Sequence, residues 1–328
     1  PSLGLVIEYL LSRAIAAARE LFLDTSIHST NLLWSPSQNT SYLDASVLPL
    51  RTSGRWILDK QGQRVPLHCV NWYGAHLATY VVGGLHRRSL SQLALMIRAL
   101  GFNCVRLPYS LELQLSDVRP PPELISANPA LVNKSGLEIL DAAIDALAKE
   151  HILIVLNNHQ GAAMWCCDEN DGEGLWYTER YPEQAWLDSL TSLAKRYREQ
   201  PFVVGYDLRN EPRGVPLLSG AHKRPTWGTG QNDTDWAAAA LRGALAVARG
   251  NPDALLVIEG LHFATDLSAA RGSVKLHQHQ ELLGRVVYEA HDYCWYHSEF
   301  LAAWYLYWLS LGGSAFLICH ISMKARKD

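Results

Sequence analysis

Six apolar runs recur along the chain, at 67–72, 103–108, 152–157, 202–209, 254–259 and 285–291, and most of them end on polar residues. Ile152-Leu153-Ile154-Val155-Leu156 and Ala254-Leu255-Leu256-Val257-Ile258 have no polar alternation, as expected of strands buried on both faces of a sheet. Helical patterns lie between them. Ser89-Leu90-Ser91-Gln92 is a capping box that opens a helix running to Leu100, with Gly101 placed to end it in a left-handed conformation. A second box, Ser135-Gly136-Leu137-Glu138, opens a helix that puts Leu137, Leu140, Ile144 and Leu147 on one face. Pro182–Glu199 and Asp235–Arg249 supply two more. Strand and helix alternate, which predicts a parallel sheet covered by helices.

The two ends of the chain depart from this rhythm. Residues 1–50 read as an amphipathic helix over Leu3–Leu23 and then a polar linker, outside the core, with the domain boundary near Arg51. Arg55–Leu58 and Arg64–Leu67 are expected to pair as a hairpin capping the bottom of the sheet. Beyond the sixth strand only 35 residues follow Tyr293 (328 minus 293), whereas two further strand–helix units need roughly 60. Phe300–Cys319 carries no charge and is followed by Lys324, Arg326 and Lys327, a length and flank that suit a membrane span. Segment 301–328 is expected instead to be non-homologous sequence, because it interrupts a fold that needs completing.

The polar residues that close the strands carry the chemistry. Strand two ends through Arg106-Leu107-Pro108-Tyr109, strand three through Asn157-Asn158-His159, strand four through Asp207-Leu208-Arg209-Asn210-Glu211-Pro212, and strand six through Glu289-Ala290-His291-Asp292-Tyr293. In a parallel α/β barrel the C-terminal strand ends form the mouth, so a carboxylate there reads as chemistry and not as stability. In this order the four motifs resemble glycoside hydrolase family 5, the cellulase-like (β/α)8 retaining glycosidases, and especially secreted fungal endoglucanase-like members. The likeness runs over roughly 51–300. It implies a TIM-barrel type domain, here with about six strands and a small N-terminal hairpin cap, acting on β-linked polysaccharide such as cellulose or β-glucan.

Retaining hydrolysis uses two carboxyl groups roughly 5–5.5 Å apart, one protonating the leaving oxygen and one attacking the anomeric carbon. By the resemblance Glu211 is the acid/base, Asn210 bonds the sugar 2-OH, Arg106 orients the nucleophile, and His159, His291 and Tyr293 ring the cleavage point. The family nucleophile is a Glu ending strand seven, and no Glu follows Glu299 in this sequence. Glu289 shares a face with His291 but lies two residues, about 6.6 Å, deeper, so it reads as a buried hydrogen-bonding residue. A truncated pseudoenzyme or glycan-binding fragment is the alternative this leaves open. Trp165 and Trp176 flank the Asp171-Gly172-Glu173-Gly174 turn and are candidate sugar platforms, with burial against the loop as the competing reading.

Composition narrows the partners further. A net charge of −3 with scattered Lys and Arg excludes a nucleic-acid surface. Six cysteines without a C-x-x-C pair argue against structural zinc, His277-Gln278-His279 reads as a solvated loop, and acid/base chemistry on carboxylates implies no cofactor or metal. Adjacent Cys166 and Cys167 are not expected to bond each other. Three sequons, at Asn39, Asn133 and Asn232, fit a secreted protein, and a monomer acting on polysaccharide without membrane attachment is the expectation.

Overall fold

The computed structural model describes residues 42–293 and 316–319, which belong to one unit, Asn39–Asp328. In chain order the strands are β1 (Arg51–Ser53), β2 (Trp56–Leu58), β3 (Cys69–Asn71), β4 (Cys104–Ser110), β5 (Leu153–Gln160), β6 (Val203–Asp207), β7 (Val215–Pro216), β8 (His222–Lys223), β9 (Leu255–Glu259), β10 (Val286–Asp292) and β11 (Phe316–Cys319). The α-helices are α1 (Leu90–Ala99), α2 (Leu111–Leu115), α3 (Gly136–Lys149), α4 (Glu183–Arg196) and α5 (Trp236–Gly250). Both capping boxes form as the sequence predicts, Ser89 with Gln92 and Ser135 with Glu138, and Gly101 takes φ +88°.

The main sheet has the order β3-β4-β5-β6-β9-β10-β11 and every neighbouring pair is parallel. Each new strand adds to the same side of the last, without the reversal of a doubly wound sheet, which is the winding of a barrel wall. Every residue of β4, β5, β6 and β9 is buried, as their unbroken apolarity requires. Among the described residues β3 and β11 are the sheet edges. The six strands read from the sequence are all present. The seventh place is not empty, however: Phe316–Cys319, within the segment expected to be non-homologous, pairs in parallel with Glu289–Asp292. Unbroken apolar residues read equally as helix, span or strand from sequence alone, and an open parallel edge offers the backbone partners that favour the strand.

Two details at the N-terminal side differ from expectation. The hairpin pairs β1 with β2, while Leu58 and Arg64 share only an isolated bridge. Gly54, at φ +54°, makes the β1–β2 turn, and Asp59 Oδ1 accepts from the N–H groups of Gln61 and Gln63, folding that segment into a loop. Leu48 and Leu50, on the linker side of the expected boundary, are buried in the core. The helix expected over 3–23 lies outside the described residues, as does the candidate span 300–319 except for β11. No helix among the described residues is long and apolar enough to cross a membrane.

The helices fix the strand ends through their indoles. Trp186 of α4 donates Nε1–H to the Leu208 carbonyl at 2.9 Å, and Trp236 of α5 donates to the Glu259 carbonyl at 2.8 Å; both rings are fully buried. Cys69 and Cys104, opposite each other on β3 and β4, form a disulfide closing a 35-residue separation. Replacing both by Ala should lower unfolding stability by about 2–4 kcal/mol through the freed denatured chain. A urea midpoint unchanged between wild type and the double variant would count against this.

Candidate active site

The site is built on a cation at its floor. Arg106, in the middle of β4, is fully buried and donates Nε–H to Asp207 Oδ2 at 2.8 Å, Nη2–H to Glu259 Oε1 at 2.7 Å and to Asn210 Oδ1 at 2.9 Å, and Nη1–H to Asn71 Oδ1 at 3.2 Å. Glu289 Oε1 lies 3.5 Å from its Nε. Parallel register explains the convergence, because Asn71 is opposite Arg106, Asn157 opposite Asp207, and Glu259 opposite Glu289 on successive strands. Asn157 also donates to Asp207, at 2.8 Å, and its Oδ1 lies 2.6 Å from His159 Nδ1.

Glu211 sits above this floor. Its Oε1 is 2.7 Å from His291 Nδ1 and accepts from the Tyr293 hydroxyl at 2.7 Å. The other ring nitrogen of His291, Nε2, is 3.0 Å from Glu289 Oε1 and 3.5 Å from Glu259 Oε1. Burial pushes the Glu211 carboxyl up, but the His291 and Tyr293 hydrogen bonds and the His291 charge outweigh it, holding it below the usual carboxylate range. Burial disfavours charge on His291, yet Glu259, Glu211 and Glu289 raise it well above the ordinary histidine value. Asp207 is raised to about 6 by burial, against the pull of Arg106, and Glu259 is raised well above its usual range for the same first reason.

Arg106, Asn210, Glu211, His291 and Tyr293 are thus brought together in one hydrogen-bonded constellation. His159 stands at its side, with its ring 4.4 Å from that of His76 and 5.9 Å from that of Tyr73. Trp165 is 67% exposed, 6.4 Å from Tyr73. Trp176 is a correction. At 1% exposure, with Nε1–H donated to Glu183 Oε2 at 2.6 Å and its ring beside Trp236, it is a core residue with no face to offer a sugar. Cys166 and Cys167 lie with their sulfurs side by side, and Asn210 Nδ2–H points at both, at 3.4 and 3.3 Å. Glu289 is buried in the His291–Arg106 network.

Three participants were not singled out from sequence: Glu259, Asp207 and Arg213, which donates Nη1–H to the Glu211 carbonyl at 3.0 Å. Glu259 ends an apolar strand as Glu211 follows one, and that parity with the other strand ends was the available signal. Glu259, Glu289 and His291 hold ligand atoms within 4.8 Å of one another, as a metal site would. Arg106 and Nε2 of His291 already occupy those oxygens, which makes the cluster an ion-pair network.

A barrel wall whose strand ends gather an Asn-Glu pair, a His and a Tyr over a buried Arg defines the class: a carboxylate-centred glycoside hydrolase fold. The chain belongs to the cellulase family, glycosyl hydrolase family 5, whose model matches residues 58–306. It is 32% identical over 250 residues to an endoglucanase of Paenibacillus polymyxa, covering 74% of this chain and 59% of that protein. It is 35% identical over 209 residues to the major extracellular endoglucanase of Xanthomonas campestris pv. campestris, covering 64% of this chain and 40% of that protein. The chain therefore spans less than two thirds of the length of these relatives. Among solved structures, the catalytic domain of the Xanthomonas enzyme superposes with a TM-score of 0.68 at 28% identity, covering 83% of this chain and 80% of that one. An endocellulase variant from Pyrococcus horikoshii in complex with cellotetraose superposes at 0.69 with 25% identity, covering 82% and 80%.

Proposed function

We propose that the protein belongs to a hydrolase of β-linked glucan, cleaving with retention and using Glu211 as general acid/base. The observation that carries this is the Glu211 carboxylate held by His291 and Tyr293 beside an Asn210 fixed by Arg106. In this reading Asn210 bonds the sugar 2-OH, Arg106 supports the attacking carboxylate, and His159 and Trp165 line the path of the glycan. Glycan binding without turnover is the second reading, favoured by one specific fact: His291 and Tyr293 hold Glu211 below the usual carboxylate range, away from the protonated form an acid needs. Secretion fits the Cys69–Cys104 disulfide and the extracellular Xanthomonas relative. Action as a monomer is part of the proposal and is read by size-exclusion chromatography.

Both readings require glycan binding, which calorimetry with cello-oligosaccharides tests directly. Trp165→Ala should weaken binding by about 0.5–1.5 kcal/mol, the worth of a stacking ring, without changing the unfolding midpoint. No binding of cello-oligosaccharides by the wild-type chain would overturn both readings together.

A further inference from the structure

The peptide of Glu211 is held in an unusual conformation. Its φ is +46°, in the left-handed region that side-chain-bearing residues avoid at a cost of roughly 1–3 kcal/mol. Such a conformation persists only where its surroundings over-determine it. Here two buried ionisable side chains do so from opposite sides. Glu259 Oε2 accepts the Glu211 N–H at 2.6 Å, and Arg213 Nη1–H donates to the Glu211 carbonyl at 3.0 Å. Charge-assisted bonds of this kind are roughly twice as strong as neutral ones.

We propose that Glu259 and Arg213 are positioning residues, a two-sided clamp on the Glu211 peptide that aims its carboxylate at His291 and Tyr293. Each jaw is anchored elsewhere. The second oxygen of Glu259 holds Arg106, and through it Asn210, so one carboxylate sets both members of the Asn-Glu pair. Arg213 reaches the mouth loop, donating Nη2–H to Asp171 Oδ2 at 2.6 Å and Nε–H to the Asp168 carbonyl at 3.1 Å. The segment after β9 braces the next peptide along. His262, Phe263 and Ala264 are all left-handed; Phe263 N–H donates to the Pro212 carbonyl at 3.2 Å, and the Ala264 carbonyl accepts the His291 N–H at 3.0 Å. The clamp thus couples the acid/base to the mouth loop through the Arg213 side chain, and the segment after β9 ties the adjoining backbone to that of His291.

The inference takes its functional meaning from the proposed acid/base role of Glu211, but its test needs no turnover. The full chain is labelled with ¹³C at glutamate carboxyls, the Glu211 signal is assigned by its loss in Glu211→Gln, and its titration is followed by NMR. His291 and Tyr293 from the β10 end, Tyr73 from the segment after β3, Arg213 from its own segment, and Glu259 and Glu289 behind His291 are the charged or titratable groups facing it. In Glu259→Met the midpoint should move up, because a released peptide turns the carboxylate away from His291 and Tyr293. Glu259 is raised well above the usual range and so is neutral where Glu211 titrates, so loss of its charge alone would leave the midpoint unmoved, and an upward shift marks the released peptide. Glu259→Gln retains an acceptor oxygen and should keep the low midpoint. Arg213→Lys keeps the charge but loses the fork, and should also shift the midpoint up, whereas a charge-only role predicts no change; this arm stands if Glu259→Met does not fold. In the wild type, the Glu211 amide should exchange with solvent deuterium slowly. A downward or absent shift in the folded Glu259→Met and Arg213→Lys chains, or exchange of that amide at the rate of an exposed one, overturns the clamp. Loss of glycan binding with the titrations as expected would instead sink only the functional reading.

Discussion

The 328-residue polypeptide should release no more reducing sugar from β-glucan than its own Glu211→Gln variant. Two physical reasons converge. The oxocarbenium-like transition state needs a carboxylate on the face opposite the acid, and among the described residues Glu259 and Glu289, the carboxylates behind His291, are buried and engaged with Arg106 and His291. Glu211, the proposed acid, is also held low. A second carboxylate roughly 5–5.5 Å away raises an acid's proton affinity, whereas among the described residues His291 and Tyr293 act on Glu211 in the opposite direction. Fusing residues 1–293 to a family 5 portion that supplies the strand-seven glutamate should restore turnover. In that fusion Glu211→Gln should reduce kcat by about 10²–10⁴-fold on glucans, which have poor leaving groups, and much less on aryl glycosides whose leaving group needs no proton. Robust turnover by the unextended chain, abolished by Glu289→Gln, would show that a carboxylate read as structural performs the attack.

How much of this was legible depends on which physical rule each feature obeys. The six strands and four long helices followed from local signals, since continuous apolar runs and the Ser89 and Ser135 capping boxes specify themselves within a few residues. The polar strand ends were readable for a related reason: parallel winding delivers every C-terminal end to one mouth, so Arg106, Asn210, Glu211, His291 and Tyr293 could be expected to meet before any distance was known. Trp176 was not decidable, because a tryptophan in a loop has the same sequence signature whether it faces solvent or, as here, packs on Trp236. Glu259 escaped because its role is a contact made 48 positions away, with the backbone N–H of Glu211, and no periodicity records such a bond. The β11 strand was hidden in an apolar stretch that reads equally as helix, span or strand, and its pairing with β10 is a long-range contact that no local pattern records.

Arg106→Met should be the most destabilising single substitution in the site, and its effect should grow with pH. The guanidinium is the shared partner of Asp207, Glu259 and Glu289, all buried, and removing one member of such a network costs about 3–5 kcal/mol because the remaining charges are left uncompensated. Its attraction is what opposes the burial that already raises Asp207 to about 6 and Glu259 well above its usual range. Without Arg106 these folded-state values rise further, while the unfolded values stay ordinary. Between the two, the folded variant binds more protons than the unfolded chain, so its stability falls as pH rises through that window. Below the unfolded carboxylate range both states are protonated, the three carboxyls are neutral, and the missing cation matters least. Urea unfolding at pH 5 and pH 8 should therefore show a gap between wild type and Arg106→Met that is several-fold smaller at the lower pH. A pH-independent gap would mean that the arginine stabilises the site by packing its aliphatic stem, and that Asp207, Glu259 and Glu289 do not depend on its charge.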